Sequence, residues 1–303
     1  MTEARICLVC GQAEFTNLFT ARDHLVSGES FVIRRCNACS FTFTAEPPAE
    51  KEIGRYYLSE DYISHSDKRQ TFTERLYHLT RRYMLGRKQK LVTGVTHRDS
   101  GTLLDIGSGT GYFASFMQQK GWKVTGIELN EQARNYSVTR FGIKALAPEE
   151  LRDISDRSVD CITFWHVLEH LHEPAMWMKE VNRILKDDGK CIIALPNLDS
   201  ADARWFSDRW AALDVPRHLW HFSPATLTRF AGDHGFICRE IRAMPLDVFY
   251  ISALSYRNRG CLLSLLRGIF TGTLLTISNL FRKNSASSLI YVMSGQTLQL
   301  PDR

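Results

Sequence analysis

The run LLDIGSGTGYFA, Leu103 to Ala114, constrains this chain more than any other stretch. Leu103, Leu104 and Ile106 read as a short buried strand, with Asp105 near its carboxyl end. Gly107, Gly109 and Gly111 alternate with Ser108 and Thr110, which predicts a tight turn where side chains would block a ligand. Phe113, Phe116 and Met117 resume at helical spacing. One strand later, WKVTGIE ends on Glu128, where an acid can grip both hydroxyls of a ribose.

The turn reads D-x-G-x-G-x-G, with an acid as its first member. An acid there would repel a pyrophosphate and would welcome the cationic amino-acid end of S-adenosylmethionine. At this point the chain resembles the class I S-adenosylmethionine-dependent methyltransferases, from about Gly101 to Pro196. The resemblance implies that Asp105 takes the methionine amino group. It implies that Gly107, Ser108, Gly109 and Gly111 let backbone approach the carboxylate and ribose, and that Glu128 holds the ribose diol. Relatives often place an Asp after the third strand. This chain has LAPEE there, so the adenine is expected on Leu129 and backbone near Ala147.

The expected fold class is α/β, a doubly wound, Rossmann-like seven-stranded sheet. Strands are expected at 102–106, 122–127, 142–146, 159–165 and 189–195, with two more near 236–244 and 288–294. Helices are expected at 111–120, 130–140, 174–186 and 223–234. In the family the seventh strand runs antiparallel to the others. A chain of 303 residues with 44% hydrophobic content can bury such a core and carry an appendage.

The appendage is residues 1–45. Cys7 and Cys10 form CLVCG, Cys36 and Cys39 form CNACS, and 25 residues separate the pairs. Two such knuckles can bring four thiolates into tetrahedral geometry around Zn²⁺. The unit reads as a small zinc ribbon with strand-like SFVIRR and FTFT, its metal structural and supplying folding energy. Cys161, Cys191 and Cys238 sit in expected strands and read as small core residues.

Residues 46–98 read as a helical linker or cap, and 99–303 as the methyltransferase domain with an insertion at 247–285. Between Lys68 and Lys90 stand eight Lys or Arg against one acid, Glu74. Phe72, Leu76, Leu79 and Tyr83 can dock one face of a helix there. The charges suit a solvated face, with a nucleic-acid or anionic-lipid surface as the less favoured alternative; the net charge of +5 is mild and does not by itself argue for nucleic acid. Within the insertion, residues 261–281 are long and apolar, but Arg267, Gly268 and Gly272 argue against a spanning helix. Leu262, Leu265, Leu266, Ile269, Phe270, Leu274, Ile277 and Phe281 share one side. That side is expected either over the active site or at a membrane interface, so residues 260–282 are a candidate for peripheral membrane contact. The start, MTEARICLVCG, lacks an apolar run, and cytoplasmic location is expected, at most peripheral to the inner membrane face.

Two segments carry candidate chemistry. DCITFWHVLEHLHEP delivers Trp165 and His166 near the transferred methyl, with His166 lining the sulfonium pocket. Glu169, His170 and His172 invite a metal reading; a turn-stabilising Glu-His pair suits them better. WAALDVPRHLWHFSPATL holds Arg217, a candidate for an acceptor phosphate or carboxylate, and His218 and His221. This stretch resembles the H-x-x-[aromatic]-F-S segment of zinc-ribbon sugar C-methyltransferases, in which a His is the general base. His218 falls on that position, and His221 replaces the usual aromatic. Imidazole is the side chain suited to take a proton near neutral pH.

The expected activity is therefore methyl transfer from S-adenosylmethionine to a small-molecule acceptor, a sugar or cell-surface glycan precursor, on oxygen or carbon. The alternatives are ribosomal RNA methylation and methylation of a quinone or lipid-linked acceptor at a membrane.

Overall fold

The computed structural model describes residues 6–57, 72–279, 282 and 284–296, with backbone alone for 72–77. Lys68, the side chains of Phe72 and Leu76, and Phe281 lie outside the described residues.

Three N-terminal strands come first: β1 (Phe15–Arg22), β2 (Ser30–Cys36) and β3 (Thr42–Thr44). A long helix α1 (Phe72–Thr96) leads to β4 (Thr102–Ile106), α2 (Tyr112–Gln119), β5 (Lys123–Ile127), α3 (Glu131–Phe141) and β6 (Lys144–Leu146). Next come β7 (Val159–Trp165), α4 (Pro174–Ile184), β8 (Leu185–Pro196), α5 (Ala201–Phe206) and a two-residue strand β9 (Trp220–His221). The chain continues through α6 (Pro224–Asp233), β10 (Phe236–Ala243), α7 (Asp247–Asn258), α8 (Ser264–Asn279) and β11 (Ser288–Gly295).

Seven strands form the central sheet in the order β10-β11-β8-β7-β4-β5-β6. β8, β7, β4, β5 and β6 run parallel, and β11 is antiparallel to both β8 and β10. The seven-stranded α/β expectation and its antiparallel last strand are both met. The middle strands are covered on both faces, so they read as unbroken apolar runs such as CITF and IIAL. One face packs Phe164, Met178, Ile193, Leu227 and Phe230. The other packs Leu91, Val92 and Val95 of α1 on Leu103, Met117 and Trp122.

Two local expectations are corrected. Helix α4 stops at Ile184 rather than 186, because Leu185 already pairs with Val159 and the DDG that follows bulges strand β8. On α1, Leu79 and Tyr83 are exposed and do not dock; the stripe that docks lies about two to four turns later, at Leu91, Val92 and Val95.

The second sheet has the order β1-β2-β3-β9, so two residues of the histidine segment complete the N-terminal sheet. Thr42 pairs with His221 and Phe43 with Trp220. Phe41 packs on Trp220 and Phe222, with ring centroids 6.0 and 5.2 Å apart. Arg217 adds a buried polar joint. Its guanidinium donates to Asp23 at 3.0 Å, to both oxygens of Asp214 at 2.7 and 3.0 Å, and to the Tyr56 carbonyl at 2.7 Å. All three guanidinium nitrogens donate internally and the side chain is buried, so the acceptor-binding role expected of Arg217 is not available to it. Replacing Arg217 by Ala strands two carboxylates, one of them wholly buried. The expected loss is about 3–5 kcal/mol in urea unfolding; a loss below about 1 kcal/mol would show the joint to be dispensable.

Candidate active site

The site lies at the carboxyl ends of β4, β5 and β7, where an open parallel sheet leaves its crevice. Asp105 is 2% exposed, and its Oδ1 accepts from Thr163 Oγ1 at 2.7 Å. Burial raises its carboxyl to about 7; the Thr163 bond and the nearby Lys88 charge oppose that rise, and Glu128 adds to it. Gly107, Gly109 and Gly111 all have positive φ, 70°, 53° and 81°. A Cβ on Gly107 would stand 2.3 Å from Val167 Cγ2, whereas one on Gly109 would meet nothing within 4 Å. The first glycine is therefore required by packing, and the second opens on free space above the turn.

Glu128 caps the turn: Oε2 accepts from Gly109 N at 2.8 Å and Oε1 from Asn130 N at 2.9 Å. Ser108 turns its hydroxyl inward towards Gly126, where it has no hydrogen-bond partner, so only its backbone is offered to the crevice. Leu129 is exposed just beyond Glu128. Ala147 N is held by Glu150 Oε2 at 2.7 Å.

Lys88 was not singled out by sequence reasoning. It reaches from α1 over the Trp165 ring, 4.3 Å from the centroid, and over Phe113 at 5.6 Å. Burial lowers its ammonium to about 8, against the pull of Asp105 and Asp247. The available signal was spacing: Leu85, Lys88, Val92 and Val95 recur three and four apart on the docked stripe.

A second cluster lies beside the first. His166 stands at φ 59°, an uncommon conformation for a side-chain-bearing residue. Its Nδ1 lies 3.4 Å from Glu169 Oε1 and its Nε2 3.3 Å from Asp247 Oδ2, at the first residue of α7. Burial disfavours its charge, but the adjacent carboxylates of Asp247 and Glu169 prevail and raise it to about 9. Glu169 is 1% exposed and neither carboxylate oxygen makes a hydrogen bond. Burial would raise its carboxyl, yet His166, His170 and His218 hold it below the usual range.

His218 is buried. Its Nδ1 donates to the Ala212 carbonyl at 2.9 Å, so in the neutral ring the lone pair is on Nε2. That atom lies 3.8 Å from Asp214 Oδ2 and 4.0 Å from Glu169 Oε1. The rings of His170 and His218 meet edge to face at 4.5 Å. Glu169, His170 and His218 each offer a ligand atom within 4.8 Å of the others, a spacing that could accept a cation. His172 is not among them; its Nε2 meets the Pro48 carbonyl at 3.1 Å. His221 faces the N-terminal sheet, with Nε2 3.0 Å from Thr44 Oγ1, which itself donates to the His218 carbonyl at 2.7 Å. Burial and the His218 charge push its imidazole down to about 3.

The sulfur atoms of Cys7, Cys10, Cys36 and Cys39 lie within 4.8 Å of one another, with two pairs at 3.5 Å and no disulfide. Four convergent thiols in two knuckles match the donor set of a tetrahedral thiophilic ion.

A ubiquinone biosynthesis O-methyltransferase of Alkalilimnicola ehrlichii is 28% identical over 164 residues, 49% of this chain and 66% of that protein. A protein of Mycolicibacterium smegmatis, named a probable S-adenosylmethionine-dependent methyltransferase, is 26% identical over 57% of this chain and 65% of its own length. The matches thus span just under two thirds of these relatives. In fold, the chain is similar to the 1,6-didemethyltoxoflavin-N1-methyltransferase of Burkholderia thailandensis, solved with 1,6-didemethyltoxoflavin and S-adenosylhomocysteine. The TM-score is 0.50 at 14% identity, covering 91% of this chain and 100% of that one. The methyltransferase-domain family model matches residues 76–241, more than half of the chain, from within α1 into β10, and this chain belongs to that family.

Proposed function

We propose that the protein transfers a methyl group from S-adenosylmethionine to a small-molecule acceptor, a sugar or cell-surface glycan precursor. The observation that carries the reading is the adjacency of two sites. The buried Asp105, the open Gly109 turn and Glu128 form one. The His166–Glu169–His218 cluster at the next strand end is the other.

S-adenosylmethionine, when bound, supplies an electrophilic methyl on a sulfonium. Asp105 binds the amino group of its methionine end, and Glu128 exchanges its backbone partners for the ribose hydroxyls. Gly107, Ser108, Gly109 and Gly111 offer backbone, Leu129 lies under the adenine, and Lys88 and Trp165 bound the crevice opposite Asp105. His218 Nε2 takes the proton that the acceptor loses, and Glu169 and Asp214 stabilise the resulting imidazolium. His166, already cationic between its two carboxylates, lines the transfer site and fixes the Glu169 charge. His221 holds Thr44 and so sets the position of the loop that carries His218. Cys7, Cys10, Cys36 and Cys39 hold a structural zinc ion. The name of the A. ehrlichii relative keeps O-methylation of a quinone-type acceptor as the second reading. Against an RNA face on α1, Arg81 and Lys88 lie over Tyr112 and Trp165 of the domain itself.

Asp105→Ala and Glu128→Ala should each weaken S-adenosylhomocysteine binding by more than about tenfold in calorimetry, about 1.4 kcal/mol. Because the Asp105 carboxyl sits near 7, binding of the cationic amino group must expel a proton below that pH. Affinity should therefore fall towards acid by up to about tenfold per pH unit, and the Asp105→Ala variant should lose that slope.

With methyl-labelled S-adenosylmethionine and extract of a host lacking this protein, label should enter the small-molecule or glycan fraction. His218→Ala should slow that transfer by about 10²–10⁴-fold without changing cofactor affinity. Label in RNA would overturn the acceptor class, and an unaltered rate would place the base elsewhere. For the cysteine site, elemental analysis should find zinc, and chelation at neutral pH should lower the unfolding temperature; zinc-free protein with unchanged unfolding would remove the assignment.

A further inference from the structure

Helix α8 is built the wrong way round for a helix that packs on a protein core. Its only buried residues are Gly268 and Gly272. A Cβ on Gly268 would stand 2.6 Å from the Ala253 backbone, and one on Gly272 2.6 Å from Phe249 Cδ1, so the glycine face is pressed against α7. Tyr256 Oη and Thr271 Oγ1, 3.0 Å apart, pin the same face. Leu262, Leu263, Leu265, Leu266, Ile269, Phe270, Leu274 and Ile277 consequently point away from the protein, none less than 48% exposed. The expectation that this side covers the active site is thereby corrected. Soluble surfaces rarely carry so continuous an apolar stripe without a partner.

Charge identifies the partner. From Val248 to Pro301 the chain holds five Lys or Arg and not one Asp or Glu. Arg257, Arg259 and Arg267 stand along the hairpin, and Arg259 donates to the carbonyl of Trp205, itself 62% exposed beside it. A second copy of this face would oppose cation to cation. An anionic lipid surface complements both the charge and the apolar stripe, and an exposed Trp suits the headgroup level. Among the described residues no helix is long and apolar enough to cross a membrane, so the hairpin lies on the surface.

We propose that the α7–α8 hairpin docks the protein on anionic bilayers. Resting on the methyltransferase reading, this places the acceptor at a membrane surface, for α7 begins at Asp247, the partner of His166.

The test is co-sedimentation of the full chain with phosphatidylcholine vesicles, with and without phosphatidylglycerol, measured without cofactor. Wild type should pellet with the anionic vesicles and be released by salt. Leu265→Glu with Phe270→Glu, both at exposed positions, should lower the partition coefficient by about tenfold or more. Arg257→Gln with Arg267→Gln should lower it on anionic vesicles alone. Each variant should keep wild-type affinity for S-adenosylhomocysteine. Wild type remaining in the supernatant at low salt would overturn the proposal. So would light scattering that shows a dimer which the Leu265→Glu, Phe270→Glu variant dissociates, with no vesicle binding. Failure of the methyltransferase reading would show separately, as absent S-adenosylhomocysteine binding by wild type.

Discussion

One buried guanidinium ties the N-terminal unit to the histidine loop, beside the apolar packing of Phe41 and Phe43 on Phe222 and the central core. Arg217 joins Asp23 of the N-terminal unit to Asp214 of the histidine loop and to the Tyr56 carbonyl of the linker. Two residue pairs between β3 and β9 continue the joint, and Leu219 N then donates to the Glu169 carbonyl at 2.8 Å. Since His218 is the next residue after Arg217, its ring position follows from this joint. The N-terminal unit is thereby structurally coupled to the crevice, and its cysteine knuckles pack in the same cluster as Trp220 and Phe222 of the segment that carries the candidate base.

The crevice combines charges that a small core could not hold singly. Asp105 and Glu169 are both nearly inaccessible carboxylates. The first is met by Thr163 and the charge of Lys88; the second lies among three imidazoles. Burial acts on both in the same direction, and at Glu169 the surrounding imidazoles, His166 first among them, reverse it. The two carboxylates therefore differ: Asp105 is poised to ionise on meeting a cation, whereas Glu169 is already charged and stabilises positive charge on the imidazoles around it.

Much of the sheet was legible because its signals are local. Asp105, the glycine turn and Glu128 lie within 24 residues, and each strand carries its own apolar run. The two CxxC pairs were legible for the same reason, since each knuckle is a short turn. β1 was not, because its alternation is weak and half of its residues are exposed. Lys88 was hidden by composition: seven other cations around it made an inward lysine look like one more surface charge. Asp247 was hidden by distance, 81 residues from the histidine it meets.

The sequence by itself determined which side chains could meet a nucleotide-like cofactor, that four cysteines could share an ion, and that residues 262–277 form an apolar stripe. Local backbone preference and periodicity suffice for those features. Tertiary structure alone decided that Arg217 is an internal tie, that His221 serves the joint with Thr44 while His218 keeps a free nitrogen, and that the apolar stripe faces outward. Those outcomes depend on which distant group fills each partner position, and on Gly268 and Gly272 allowing α7 closer than any larger residue would.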